Sequence, residues 1–145
     1  MSSERKAAGR LRLEVVSPRG VLVDEQVEEV VLSTQCGQMG VLSGHEPLLA
    51  LLQPAPLSYR KPGGATGHLA VSDGFVEAGA DHVLVLTQIA EKAEDIDVER
   101  AQVALRGRSA ELAALPPGDP ARPPLEQALR RAQVRLAAVE LARKG

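Results

Sequence analysis

The feature that most constrains this chain is a change of hydrophobic period near residue 90. From Leu11 to about Gln88 the apolar residues recur every second position, the spacing of a strand with one buried face. LRLEVV (Leu11 to Val16) sets Leu11, Leu13 and Val15 on one side, and VEEVVLST (Val27 to Thr34) is short and β-branched. In GHLAVSDGFVEA (Gly67 to Ala78), Asp73-Gly74 between two short runs predicts a hairpin turn. GADHVLVLTQ (Gly79 to Gln88) opens with another turn and continues as a strand. Turn residues recur often enough for a sandwich or barrel. Pro18, Pro47, Pro54, Pro56 and Pro62 fall at run ends, where a missing N–H does least harm.

Beyond Ala90 the period becomes helical. The segment from Glu91 to Leu115 is rich in Ala, Glu, Arg and Leu, and Val98, Ala101, Leu105, Leu112 and Leu115 recur at helical spacing. Asp95 or Asp97 can cap its start, and Gly107 weakens its middle by about 1 kcal/mol relative to alanine. PPGDPARPP (Pro116 to Pro124) ends that helix, and Pro124 suits the first position of the next. There Leu125, Ala128, Leu129, Ala132, Leu136 and Val139 form one stripe. The fold class is therefore α+β: an antiparallel β-sandwich at 11–92 followed by an antiparallel α-helical hairpin at 93–145, with 1–10 a flexible N-terminus. An alanine-lined hairpin buries little area per residue, so it is expected to open more easily than the sandwich unfolds.

Composition narrows the function. The only aromatics are Tyr59 and Phe75, too few for stacking on nucleic-acid bases. A net charge of −2 gives no general attraction to nucleic acid or anionic lipid. Charge is nevertheless divided. Nine Lys/Arg and seven Asp/Glu lie from Asp95 onward, against eight and twelve before it. The basic last helix is either a solvated face or a surface that docks on an acidic partner. Cys36 is the sole cysteine, so no internal disulfide or thiolate zinc cage can form, which suits a reducing compartment. Neither a signal peptide nor a membrane-length apolar run is present, so membrane association is expected only through partners.

The segment GQMGVLSGHEPLLALL (Gly37 to Leu52) offers the strongest hint of chemistry. His45 and Glu46 follow a glycine-rich turn, but Pro47 ends any helix of the HExxH kind, and no second ligand is in register. No metal site and no catalytic residue is expected, and an enzyme using His45 and Glu46 is a distant alternative. Asp97 and Arg100 lie three apart at the start of the first helix, and Arg131 and Arg135 share a face of the second. Two guanidiniums near a helix N-terminus would suit a polyphosphate. Equally, they could solvate the helix or pair with Glu126 or Glu140.

Together these segments resemble the epsilon subunit of bacterial F-type ATP synthase, counterpart of the mitochondrial delta subunit. GQMGVLSGHEPLLALL is similar to the segment usually written GxxGxLPGHxPLL, and VSDGFVEAGADHVLVLTQIAEKAEDID to GGFxEVxxNxVTVLAxxAE…ID. The resemblance implies a non-catalytic central-stalk rotor subunit of a proton- or sodium-translocating synthase. Its sandwich would bind the gamma subunit and the ring of c subunits, with Gly37, Gln38, Met39, His45 and Glu46 at that interface and the following Leu run in the core. Its hairpin would inhibit ATP hydrolysis by extending to the alpha/beta catalytic head. IDVERA (Ile96 to Ala101) matches the motif of members that bind ATP, implying a regulatory pocket of Glu91, Asp97, Arg100, Ala101, Arg131 and Arg135. No cofactor is required, and ATP enters only as a regulatory ligand. The location implied is peripheral, on the cytoplasmic face of the inner membrane. Departures are Ser43 for proline, Asp73 for glycine, Gln38 at an often acidic position, and the Pro-rich inter-helix loop. A free-standing nucleotide-sensing module is the alternative.

Overall fold

The computed structural model describes residues 10–145, so of the expected flexible N-terminus all but Arg10 lies outside the described residues. Ten strands come first: β1 (Leu11–Ser17), β2 (Gly20–Val27), β3 (Glu29–Thr34), β4 (Gly37–Leu42), β5 (Leu48–Leu52), β6 (Ala55–Arg60), β7 (Thr66–Val71), β8 (Gly74–Ala78), β9 (His82–Thr87) and β10 (Ala90–Lys92). A 3-10 turn (Ala93–Asp95) leads into helices α1 (Val98–Ala113) and α2 (Arg122–Lys144). The strands follow the order β10-β7-β6-β3-β5-β8-β9-β1-β2, with β4 paired to β3. Pairing is antiparallel throughout except between β1 and β9, which run parallel. The sheet folds over a core of leucine and valine, including Leu13, Leu32, Leu57, Val76 and Val85, all fully buried. Tyr59, the aromatic residue in that core, needs Gly67 beside it, because a Cβ there would stand 2.2 Å from its ring.

Asp73-Gly74 does not make the expected hairpin. β7 pairs with β6 and β10, whereas β8 pairs with β5 and β9, so the dipeptide lies in a crossover between non-neighbouring strands. Gly74 is not in the left-handed conformation that an Asn-Gly or Asp-Gly hairpin turn uses. It is glycine for another reason. A Cβ at Gly74 would stand 1.9 Å from the carbonyl oxygen of Leu86, at the point where β8 starts beside β9. The turn at Gly79 does close a hairpin, with Gly79 N–H donating to the His82 carbonyl at 2.9 Å.

The helices obey local rules at both ends. Asp97 caps α1, its carboxylate accepting from Arg100 N–H at 3.0 Å. The second helix begins at Arg122, two residues earlier than expected, inside the proline run. Pro123 and Pro124 occupy its first turn, where their missing N–H groups would have had no partner. Arg122 closes the far end of α1: its Nη1 donates to the carbonyls of Leu112 at 3.1 Å and Leu115 at 3.0 Å. Gly118, at φ +83°, and Asp119, whose carboxylate accepts from Ala121 N–H at 2.8 Å, shape the turn between.

α2 buries two faces. One packs against α1, although Val139 of the expected stripe packs on the sandwich side instead. The other packs Val134 and Ala138 onto Ala70, Ala93 and Ile96 of the sandwich side. α1 packs against α2 rather than against the sheet, and Ala101 is its one buried residue. This cluster, three alanines with Ile96, Val134 and the partly buried Val139, buries far less apolar area than the leucine core, so at ~25 cal/mol per Å² the hairpin is held more weakly than the sandwich.

Candidate functional site

Three of the residues expected to bind a nucleotide meet where α2 crosses the sheet. Arg135 Nε donates to Glu91 Oε1 on β10 at 2.6 Å. Arg131, one turn earlier, lines the same cleft with Ser72 and Ile89. This cleft has a free volume of about 20 Å³, room for a water molecule rather than a phosphate chain. It adjoins a wider opening of about 650 Å³ between the first half of α2 (Gln127, Arg130, Arg131) and the sandwich edge at Gln53 and Asp73. Asp97, Arg100 and Ala101 do not line either space. Asp97 is spent on the α1 cap, Ala101 is 2% exposed, and Arg100 is exposed without an ion pair among the described residues.

The residues assigned to the ring interface are spread along β4. Gly37, at φ +112°, follows the Gln35-Cys36 turn, and Gly37, Gln38 and Met39 begin β4. Gln38 points outward, while Met39 packs against the core. His45 and Glu46 lie past the other end of β4, about 16 Å away at strand rise. There Gly44 N–H donates to the Ala80 carbonyl at 2.6 Å, and His45 Nδ1 donates to the Glu46 carbonyl at 2.7 Å. Ser43 Oγ reaches the same Ala80 carbonyl only at 3.5 Å.

The Leu run behind them is not all core. Ala50 and Leu52 are buried, but Leu49 is 71% exposed and Leu51 46%. Leu51 pairs across to Phe75, Phe75 to Leu86, Leu86 to Val16, and Val16 to Val21. Their outward side chains form an apolar ladder across β5, β8, β9, β1 and β2. Phe75 is 52% exposed, Leu86 46% and Val21 62%. The sequence reading missed this face. Its signal was present, because LLALL and VLVL are apolar at both parities, and a half-buried strand needs only one.

The histidines divide by environment. His82 is held by Asp81 and Glu77, and the Asp81 hydrogen bond raises its pKa. His68, on β7, accepts or donates at Nδ1 to Ser58 Oγ at 2.7 Å, while its Nε2 is buried without a partner beneath Gly145 at the end of α2. Burial lowers its pKa. A buried base that resists protonation favours the packed state above the unfolded pKa, and that advantage declines as pH falls below about 6.5 and is lost through the lower pKa of the packed state. Glu29 and Arg60, which line the same recess, carry opposite charges. Proteolysis of the hairpin should therefore accelerate below about pH 6.5, and His68→Gln should flatten the profile.

The family model described as ATP synthase, Delta/Epsilon chain, beta-sandwich domain matches residues 10–93, more than half of the chain. The chain belongs to the ATP synthase delta/epsilon family. Relatives agree over nearly its whole length. It is 43% identical over 129 residues to ATP synthase epsilon chain 2 of Syntrophotalea carbinolica, covering 89% of this chain and 93% of the relative. It is 41% identical to the ATP synthase epsilon chain of Geobacter sp. strain M21, with the same coverage. Among solved structures it resembles a chain of the Euglena gracilis mitochondrial ATP synthase OSCP/F1/c-ring structure, with TM-score 0.78, 26% identity, and 94% of this chain and 82% of that chain covered. A chain of the Tetrahymena thermophila central stalk/c-ring structure, at TM-score 0.53 and 14% identity, shares the fold. The curated relatives are named ATP synthase epsilon chains, and both solved neighbours are chains of mitochondrial ATP synthase structures. Among the described residues no helix is long and apolar enough to cross a membrane.

Proposed function

We propose that this epsilon chain couples the gamma subunit to the c ring without an active site of its own, and that its hairpin restrains ATP hydrolysis. The observation that carries the coupling role is the apolar ladder from Leu51 through Phe75 and Leu86 to Val21. A contiguous exposed apolar face on a folded domain marks a protein interface. It lies on β5, β8, β9, β1 and β2, whereas α2 packs on β6 and β7, so the two roles use different strands. Gamma fits the ladder, and the ring fits the exposed turn at Gln35-Cys36 with Gln38. The restraining role rests on the weakly held hairpin and its basic α2, which suits acidic surfaces of the alpha/beta head. The subunit sits peripherally on the cytoplasmic side, through these partners.

ATP is the proposed regulatory ligand, drawn by Arg131 and Arg135 beside Glu91, while Asp97 and Arg100, which the resemblance adds to the pocket, lie outside the cleft. It can favour the docked hairpin only by binding that state more tightly.

Truncation after Lys92 tests the division of labour. The shortened chain should still co-purify with gamma, and hydrolysis by the assembled complex should rise severalfold. Loss of gamma binding would refute the separation of surfaces, and an unchanged rate would refute restraint by the hairpin.

A further inference from the structure

We infer that gamma meets the apolar ladder with a basic strip beside its own apolar one, because a band of carboxylates runs alongside the ladder on the same face. The inference rests on the reading of the ladder as the gamma site and adds the chemistry that this partner must present.

The strand register places the band. About 7 Å from the ladder along the strands lies a second row. It runs Leu49, Glu77, Leu84, Glu14 and Asp24, paired in that order across β5, β8, β9, β1 and β2. Leu49 continues the apolar character at one end, but Glu77, Glu14 and Asp24 make the row acidic. Beyond it His82 and Arg12 stand opposite each other on β9 and β1, with Asp81 at the turn before β9.

Four carboxylates share two cationic groups there. Arg12 donates from Nε and Nη2 to Asp24 at 2.9 and 3.0 Å and stands 3.7 Å from Glu14. His82 lies between Asp81 at 3.3 Å and Glu77 at 3.2 Å, and is charged only when protonated. Four carboxylates against Arg12 leave a net charge of −3, or −2 with His82 protonated. Among the described residues, Arg12 and His82 are the only side-chain partners of the four, so none of these carboxylates satisfies a group in the core. Glu14 and Asp24 even stand directly across from each other, a pairing that costs stability in a sheet.

A partner with acidic residues beside its apolar strip would be repelled. One with Lys or Arg in that place would meet under-neutralised carboxylates at the rim of an apolar contact. Such rim charges govern the speed of association and its salt dependence more than the final affinity. A second copy of this chain brings the same excess of carboxylates and lacks the basic strip on that face.

The test follows association of the full chain with immobilised gamma, using wild type, Glu77→Lys, the double variant Glu14→Gln with Glu77→Gln, and Phe75→Glu. Urea midpoints on the same preparations report the fold, and Glu77→Lys, at an exposed position, serves if the double variant is unstable. Association of wild type should slow as ionic strength rises from about 50 to about 500 mM. At low salt the double variant should associate about three- to tenfold more slowly, with a flatter salt dependence, and Glu77→Lys should slow it at least as much. Dissociation should change little. Unchanged association in both variants, with Phe75→Glu still losing gamma, overturns the basic strip and leaves the ladder standing. Faster association in the variants, or with rising salt, means an acidic partner surface and also overturns it. If Phe75→Glu binds as wild type does while the acidic variants are slowed, the ladder reading falls and the basic strip stands on the band alone. Self-association of the chain that Phe75→Glu abolishes would assign the face to a second copy and overturn the inference.

Discussion

Phe75→Glu should abolish binding to the proposed gamma partner while leaving the chain's own fold almost unmoved. Phe75 is 52% exposed at the middle of the apolar ladder, between Leu51 and Leu86. In the free chain the new carboxylate stays in water, and the loss of half-exposed apolar contact should cost stability about 1 kcal/mol or less. In the assembly the same carboxylate would be buried against an apolar partner surface without a counter-charge, a penalty of several kcal/mol. Aromatic residues at the centre of an interface also carry a large share of its energy. Binding to gamma should weaken by about a hundredfold or more. Co-purification and a urea midpoint, measured on the same preparation, separate the two effects. Val103→Glu on α1, at a residue 55% exposed but remote from the ladder, is the control and should keep binding. Retention of gamma by Phe75→Glu at wild-type strength would show that the ladder is not the interface.

Gly74→Ala should damage the sandwich itself, by about 3 kcal/mol. The added methyl would stand 1.9 Å from the Leu86 carbonyl oxygen and 2.9 Å from the Thr87 Cα. Both obstacles are backbone, so no side-chain rotation relieves the overlap. β8 or β9 must shift, and the Gly74–Thr87 end of their pairing is where β8 also meets Leu52 of β5. Gly107→Ala gives the contrast. Nothing stands within 4 Å of a Cβ there, and it lies inside α1, so that substitution should stabilise the helix by about 1 kcal/mol. Thermal or urea unfolding of the two variants should move in opposite directions. A neutral Gly74→Ala would mean that the β8–β9 approach is looser than the geometry requires.

The two layers of the fold were legible because each has one dominant period. Alternation from Leu11 and helical spacing from Val98 each survive in the structure, and Asp97 caps α1 as its position suggested. What failed was information that no local pattern carries. Asp73-Gly74 has the composition of a hairpin turn, yet the pairing of β8 with β5 and β9 is decided by packing of the whole sheet. The parallel contact of β1 with β9 joins residues about seventy positions apart. Val134 and Ala138 were passed over because one stripe along α2 was read as its only buried face, although a helix wedged between a partner and a sheet needs two. Of the proposed nucleotide residues, Arg131 and Arg135 were legible as an i,i+4 pair. That Arg135 already has a partner in Glu91, 44 positions earlier, was not.

The clasp at Arg122 bears on how far the hairpin can reach. The far end of α1 is fastened by two guanidinium bonds and a proline-framed turn, whereas its near end is joined to the sheet by a single 3-10 turn closed by Ile96 N–H on the Ala93 carbonyl. A load on the helices bends the chain where fewest bonds break, at Ala93–Asp97. On release the pair would swing as one folded arm, with a radius set by the 23 residues of α2, about 35 Å, rather than by both helices laid end to end, about 60 Å.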